Sequence, residues 1–174
     1  MKMNQAKMKE SPAVQLEAPR FENGRVLLIA GLRNRYTAET MRDLPTQWQR
    51  FAPYIGKIPG QIGGVAYGVC FQASSGAGDM EYLSGVEVSG ASGLPGEFSV
   101  VSILAQRYAV FAHREHVSKL YETLEAIGLQ WLPEWGDPIP RRGTGAPDFF
   151  ERYSEEFDPR TGMGGMEVWV PVKG

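Results

Sequence analysis

Apolar positions along this chain fall mostly into short continuous or alternating runs, and only two segments carry a helical period. Val26-Leu27-Leu28-Ile29-Ala30 is a continuous apolar run and predicts a strand from Arg25 to Leu32. Leu44, Trp48, Phe51 and Ile55 form one apolar stripe and predict a helix from about Thr40 to Tyr54. Asp43 is placed to cap it, Pro45 suits its first turn, and Pro53 with Gly56 suits its end. Strands are expected at Val65 to Phe71 and Glu81 to Val88, with Ser74 to Asp79 as the turn between them.

The second half repeats this order. Phe98 to Leu104 and Tyr108 to His113 read as strands. Glu115 to Ile127 reads as a helix, with Val117, Leu120, Tyr121, Leu124 and Ile127 on one face and Gly128 as its C-terminal cap. Trp131 to Gly145 is a Pro/Gly-rich connection, followed by strands at about Asp148 to Tyr153 and Met166 to Val172. Val86-Glu87-Val88 and Met166-Glu167-Val168 close the two halves in similar ways. The reading is an α+β fold. A tandem βαββ repeat with pseudo-twofold symmetry places helices on one side of antiparallel sheets, with a central cleft. Residues 1–12 are a polar, frayed arm and 13–173 the domain. Repeat 1 spans about 22–89, the linker about 89–97 and repeat 2 about 98–172.

Composition narrows the function classes. The chain has 174 residues, a net charge of −2 and 43% hydrophobic residues, enough for a sizeable core and without the basic footprint of a nucleic-acid binder. Cys70 is alone, so no intramolecular disulfide forms. The N-terminal residues lack a signal-peptide core, and no run is long enough to span a membrane. A cytoplasmic location is expected. His113 and His116 lack the further ligands that a metal site needs, and they suit a helix start or turn. No metal and no cofactor is expected.

Phe149, Glu151 and Tyr153 alternate along one strand and so share a face. A carboxylate between aromatic rings attracts an organic cation by charge and by cation–π contact. The alternative is an edge strand whose Glu151 meets water or an arginine. Trp169, Tyr67 and Tyr82 complete the set of candidate ligand walls, each with a core role as its alternative. Glu87 and Glu167 either line the cleft or belong to solvated strand faces. Trp48, Trp131 and Trp135 read as core.

Several marks together resemble the GyrI-like small-molecule-binding family, the effector-binding domains of AraC-type and MerR-type multidrug regulators. They are Tyr67 to Phe71, Tyr82 to Val88, Tyr108 to His113, Trp131-Leu132-Pro133, Phe150 to Tyr153 and Met166 to Val172. The resemblance implies a cleft at the pseudo-twofold centre. It also implies a ligand-contacting glutamate on the penultimate strand, at the position of Glu151, with Tyr153 and Phe149 beside it. The implied ligand is a small amphipathic organic compound, often a lipophilic cation. No basic helix-turn-helix precedes residue 25, so a stand-alone binder without direct DNA contact is expected. Two other functions stay open. One is a hydrolase that opens strained rings such as cyclopropanoids, with Glu151 as general base. The other is a protein-interaction role such as gyrase inhibition, with Glu155 to Asp158 as a candidate contact. Exposed sheet edges permit a homodimer.

Overall fold

The computed structural model describes residues 15–72, 79–131 and 147–173. Eight strands and two short helices make up its regular structure. The strands are β1 (Arg20–Gly24), β2 (Leu27–Tyr36), β3 (Gln61–Gln72), β4 (Met80–Val88), β5 (Ser99–Ile103), β6 (Gln106–His113), β7 (Phe149–Tyr153) and β8 (Met166–Val172). The helices are α1 (Leu44–Phe51), extended by single 3-10 turns at both ends, and α2 (Leu120–Ala126).

The strand order is β1-β6-β8-β7-β3-β4-β2-β5, and every pairing is antiparallel. The expected α+β repeat is present. β2-α1-β3-β4 makes the first unit and β6-α2-β7-β8 the second. The two units share one continuous sheet, joined where β3 lies against β7 with Gly68 opposite Glu151. β1, which no apolar run announces, pairs with β6 at the far edge of the second unit. β5 pairs with β2 at the edge of the first.

The two faces of the sheet differ. Leu27, Ile29, Tyr67, Val69, Leu83, Ile103, Tyr108, Val110 and Phe150 form one buried cluster. It unites strands from opposite ends of the sheet, so the sheet curls around this face. The other face carries both helices. Phe51 of α1 packs on Ala30, Leu32, Val86 and Val88. Leu120 and Ile127 of the α2 region pack with Ala109, Phe111, Met166, Val168 and Val170. The line where the units meet runs between these two helical caps, and Glu151 lies on it.

Two local expectations differ from what forms, and the two histidines stand where they are expected. Asp43 stands at the N-cap of α1 without a side-chain hydrogen bond, because a 3-10 turn over Met41–Asp43 already leads the chain in with helical backbone angles. Gly128 does not cap α2. The chain continues through a wider π-type turn, Ile127–Trp131, which sets the Trp131 ring edge-on to Phe111 at 5.1 Å. His113 ends β6 as expected and is buried, bonded to Thr123 Oγ1 at 2.7 Å and the His116 carbonyl at 2.9 Å. His116 starts the following turn by accepting from the Ser118 N–H. The polar arm, most of the Ser74–Asp79 turn and nearly all of the Trp131–Gly145 connection, with Trp135, lie outside the described residues.

Gly31 faces Gly85 across β2 and β4. A Cβ at Gly31 would overlap the Ser84 carbonyl oxygen and stand 2.6 Å from Gly85 Cα, and neither is the end of a flexible side chain. Gly31→Ala is therefore expected to cost ~3 kcal/mol or more, at the upper end for overpacking. Urea denaturation reads this as a lowered midpoint at unchanged slope.

Candidate functional site

Alternation along β7 sends Phe149, Glu151 and Tyr153 to the helix-bearing face and Phe150 and Arg152 to the other. Pairing carries the same face across the sheet. Glu151 lies opposite Gly68 on β3, and Gly68 opposite Ser84 on β4, so Tyr82 of β4 belongs to it too. Glu151 is 5% exposed. Its Oε1 accepts from Tyr82 Oη at 2.5 Å and from Tyr153 Oη at 2.8 Å. No hydrogen bond to its Oε2 is found among the described residues.

Gly68 makes this arrangement possible. A Cβ at that position would collide with Tyr82 Oη and sit 2.6 Å from Glu151 Oε1. The missing side chain is the space through which the tyrosine reaches over β3 to the carboxylate.

Trp48 of α1 completes the cluster. Its Nε1 donates to Tyr82 Oη at 3.0 Å, and its ring meets Tyr153 edge-on at 5.4 Å and Tyr82 at 6.3 Å. Phe149 is half-buried and packs against both the Tyr82–Cys70–Tyr36 cluster and the α2-side core. A chain of donors thus runs from Trp48 through Tyr82 to Glu151, and aromatic rings surround it.

The electrostatics follow from burial. Desolvation pushes the Glu151 carboxyl above its ordinary value, and the hydrogen bonds from Tyr82 and Tyr153 offset only part of that rise. Burial, then the Glu151 charge, drives both tyrosine hydroxyls well above their usual range, so they act as donors. Burial also pushes the nearby Cys70 thiol up, which leaves it unreactive. A desolvated carboxylate with one oxygen unused attracts a cation that can lie against aromatic rings.

Of the six sequence candidates, the fold brings Glu151, Tyr153, Phe149 and Tyr82 together. It sets Tyr67 and Trp169 on the opposite face, away from these four. Tyr67 is buried edge-on to Phe150 at 5.6 Å, and Trp169 stacks on Phe150 at 5.4 Å. The cause is parity. Tyr67 neighbours Gly68 in the chain, and Trp169 pairs with Phe150 rather than Glu151.

Glu87 and Glu167 also lie away from Glu151, and each has an arginine. Arg25 meets both Glu87 oxygens, at 2.6 and 2.8 Å. Burial raises the Glu167 carboxyl, but Arg20, Trp169 and Arg152 outweigh it and hold it below its ordinary value. The apolar stripe assigns Trp48 to the core, and nothing in the local pattern marks Gly68. The signal for Trp48 was its N–H, a donor that a half-buried indole must place somewhere.

Comparison with known proteins adds the following. The GyrI-like small molecule binding domain family matches residues 18–173. The transcriptional regulator BrlR of Pseudomonas aeruginosa is 29% identical over 126 residues, 72% of this chain and 44% of the regulator. The chain therefore spans less than half of that relative. The solved structure of SAV2435 bound to tetraphenylphosphonium superposes with a TM-score of 0.69 at 19% identity, covering 92% of this chain and 95% of that one. The EcmrR–DNA complex superposes with a TM-score of 0.60 at 12% identity, covering 99% of this chain and 62% of that one. At these identities the superpositions speak to the fold alone. Among the described residues no helix is long and apolar enough to cross a membrane.

Proposed function

Because this chain belongs to the GyrI-like small-molecule-binding domain family, we propose that it binds lipophilic organic cations at the Glu151 cluster. The observation that carries this reading is the Glu151 carboxylate itself. It is buried and ringed by Tyr82, Tyr153, Trp48 and Phe149, and among the described residues no arginine or lysine pairs with it. Each of the other two strand glutamates considered, Glu87 and Glu167, has an arginine. A cation supplied by a ligand is the missing partner. The tetraphenylphosphonium bound to SAV2435 belongs to this chemical class and is the natural probe.

The direction of the Glu151 shift sets a pH test. The folded-state pKa lies above the unfolded one, so the folded protein holds the proton to higher pH. Glu151 therefore contributes stability below its unfolded pKa, and that contribution is lost as pH rises through the folded value. Cation binding needs the ionised form and follows the opposite course. Tetraphenylphosphonium affinity measured by calorimetry is expected to fall on acidification, starting at a pH above the ordinary glutamate range. It should be flat where Glu151 is fully ionised, and a neutral analogue, triphenylphosphine oxide, should show no such fall. Equal affinity for the two ligands at every pH would remove the carboxylate from the site.

A further inference from the structure

Gln47 is a polar residue on the inward face of α1, on the same stripe as Leu44, Trp48 and Phe51, and it is 2% exposed. Its amide is used at both ends. Nε2 donates towards the Leu32 carbonyl at 2.9 Å, Ser84 Oγ at 3.0 Å and the Tyr82 carbonyl at 3.2 Å. Oε1 accepts from Tyr36 Oη at 2.5 Å and from Asn34 Nδ2 at 3.2 Å. One side chain therefore ties α1 to β2 and β4 at once, and one of its partners, Tyr82, belongs to the Glu151 cluster. Tyr82 contributes its carbonyl to Gln47 and its hydroxyl to Glu151, and Trp48 is the next residue in the helix.

Resting on the reading of Glu151 as the ligand's counter-charge, we infer that Gln47 is a positioning residue for the site. It locks the rotation and height of α1 over β4, so that the Trp48 indole N–H meets Tyr82 Oη and the Tyr82 hydroxyl stays on Glu151. Apolar packing alone tolerates sliding and rotation of a helix two turns long, whereas five directional contacts do not. Trp48 lies about 100° around the helix from Gln47. A small rotation of α1 therefore swings the indole directly out of its hydrogen bond. The residue touches no ligand; it acts through Trp48 and Tyr82.

The test has two parts. In a proton–nitrogen correlation spectrum of the ligand-free protein, the Trp48 indole signal is assigned by its loss in Trp48→Phe. In Gln47→Met that signal should shift or broaden while the Trp169 indole stays in place. An unmoved Trp48 signal would overturn the inference without reference to any ligand. If Gln47→Met does not fold, Tyr36→Phe removes one Gln47 partner and should move the same signal by a smaller amount.

The second part is a double-mutant cycle on tetraphenylphosphonium affinity. Gln47→Met should weaken binding roughly tenfold in the wild-type background and less than about twofold in the Trp48→Phe background. Equal losses in both backgrounds would make Gln47 a general stabiliser and overturn the positioning role. If the wild type does not bind the cation at all, the functional reading of Glu151 fails, and the indole signal still decides the role of Gln47.

Discussion

Replacing Glu151 by glutamine is expected to separate binding from stability. Gln keeps an acceptor oxygen for the Tyr82 and Tyr153 hydroxyls and removes the charge that burial penalises. At pH 7 the ligand-free variant should therefore melt above the wild type. That advantage should shrink as the pH falls and the wild-type carboxyl takes up its proton. Affinity for tetraphenylphosphonium should fall by about 10- to 100-fold, which is about 1.4–2.7 kcal/mol. The aromatic walls remain and retain cation–π attraction, so the loss is partial. Binding of a neutral aromatic analogue should change by less than about twofold, since nothing it touches loses charge. Thermal melts across pH and calorimetric titrations measure both sides. A variant less stable than the wild type at pH 7, with unchanged cation affinity, would mean that Glu151 is structural. This trade is the usual mark of a functional group kept at the expense of stability.

Gly68→Val is expected to have the other large effect. The new side chain would enter the space now crossed by the Tyr82 hydroxyl, next to Glu151 Oε1. Tyr82 is 1% exposed and has no room to withdraw without disturbing Trp48 and Cys70. Overpacking of this kind costs about 1–3 kcal/mol. The Tyr82–Glu151 hydrogen bond should break as well, so cation affinity should drop about tenfold or more. Gly128→Ala is the matching control. Nothing lies within 4 Å of a Cβ there, the glycine is exposed and helical, and alanine should leave stability unchanged or raise it by up to ~1 kcal/mol. Chemical denaturation and calorimetry on the pair compare a glycine whose space a neighbouring side chain crosses with one whose surroundings are open.

Local periodicity carried most of the fold. Leu44, Trp48 and Phe51 of the predicted stripe fall on α1, with Ile55 just past its end, and β4, β7 and β8 match their predicted runs closely, whereas β2 runs four residues further to Tyr36 and β3 starts four residues earlier at Gln61. β1 escaped because Arg-Phe-Glu-Asn-Gly has neither a continuous apolar run nor a clean alternation. Its strand character comes from pairing with β6, more than eighty residues away in the chain. The same distance hid the junction of the two units. Nothing local in Gly68 or Glu151 says that they face each other across β3 and β7.

The Glu151 cluster is legible where parity within one strand is enough. Phe149, Glu151 and Tyr153 share a face by alternation alone, and they do meet. Tyr67 and Trp169 lie on the opposite face from Glu151, and that placement depends on registers between strands, which alternation does not contain. Trp48 and Gln47 belong to a helix whose rotation over the sheet is set by tertiary hydrogen bonds. The clue available was a glutamine on the inward side of an apolar stripe, where a buried amide must find partners.

The most direct test of the central claim is a crystal structure of this protein with tetraphenylphosphonium. The cation is expected on the helix-bearing face, with its charged centre nearest Glu151 Oε2 and its rings against Trp48, Phe149, Tyr82 and Tyr153. A cation bound instead on the opposite face, beside Trp169 and Tyr67, or bound with Glu151 untouched, would contradict it.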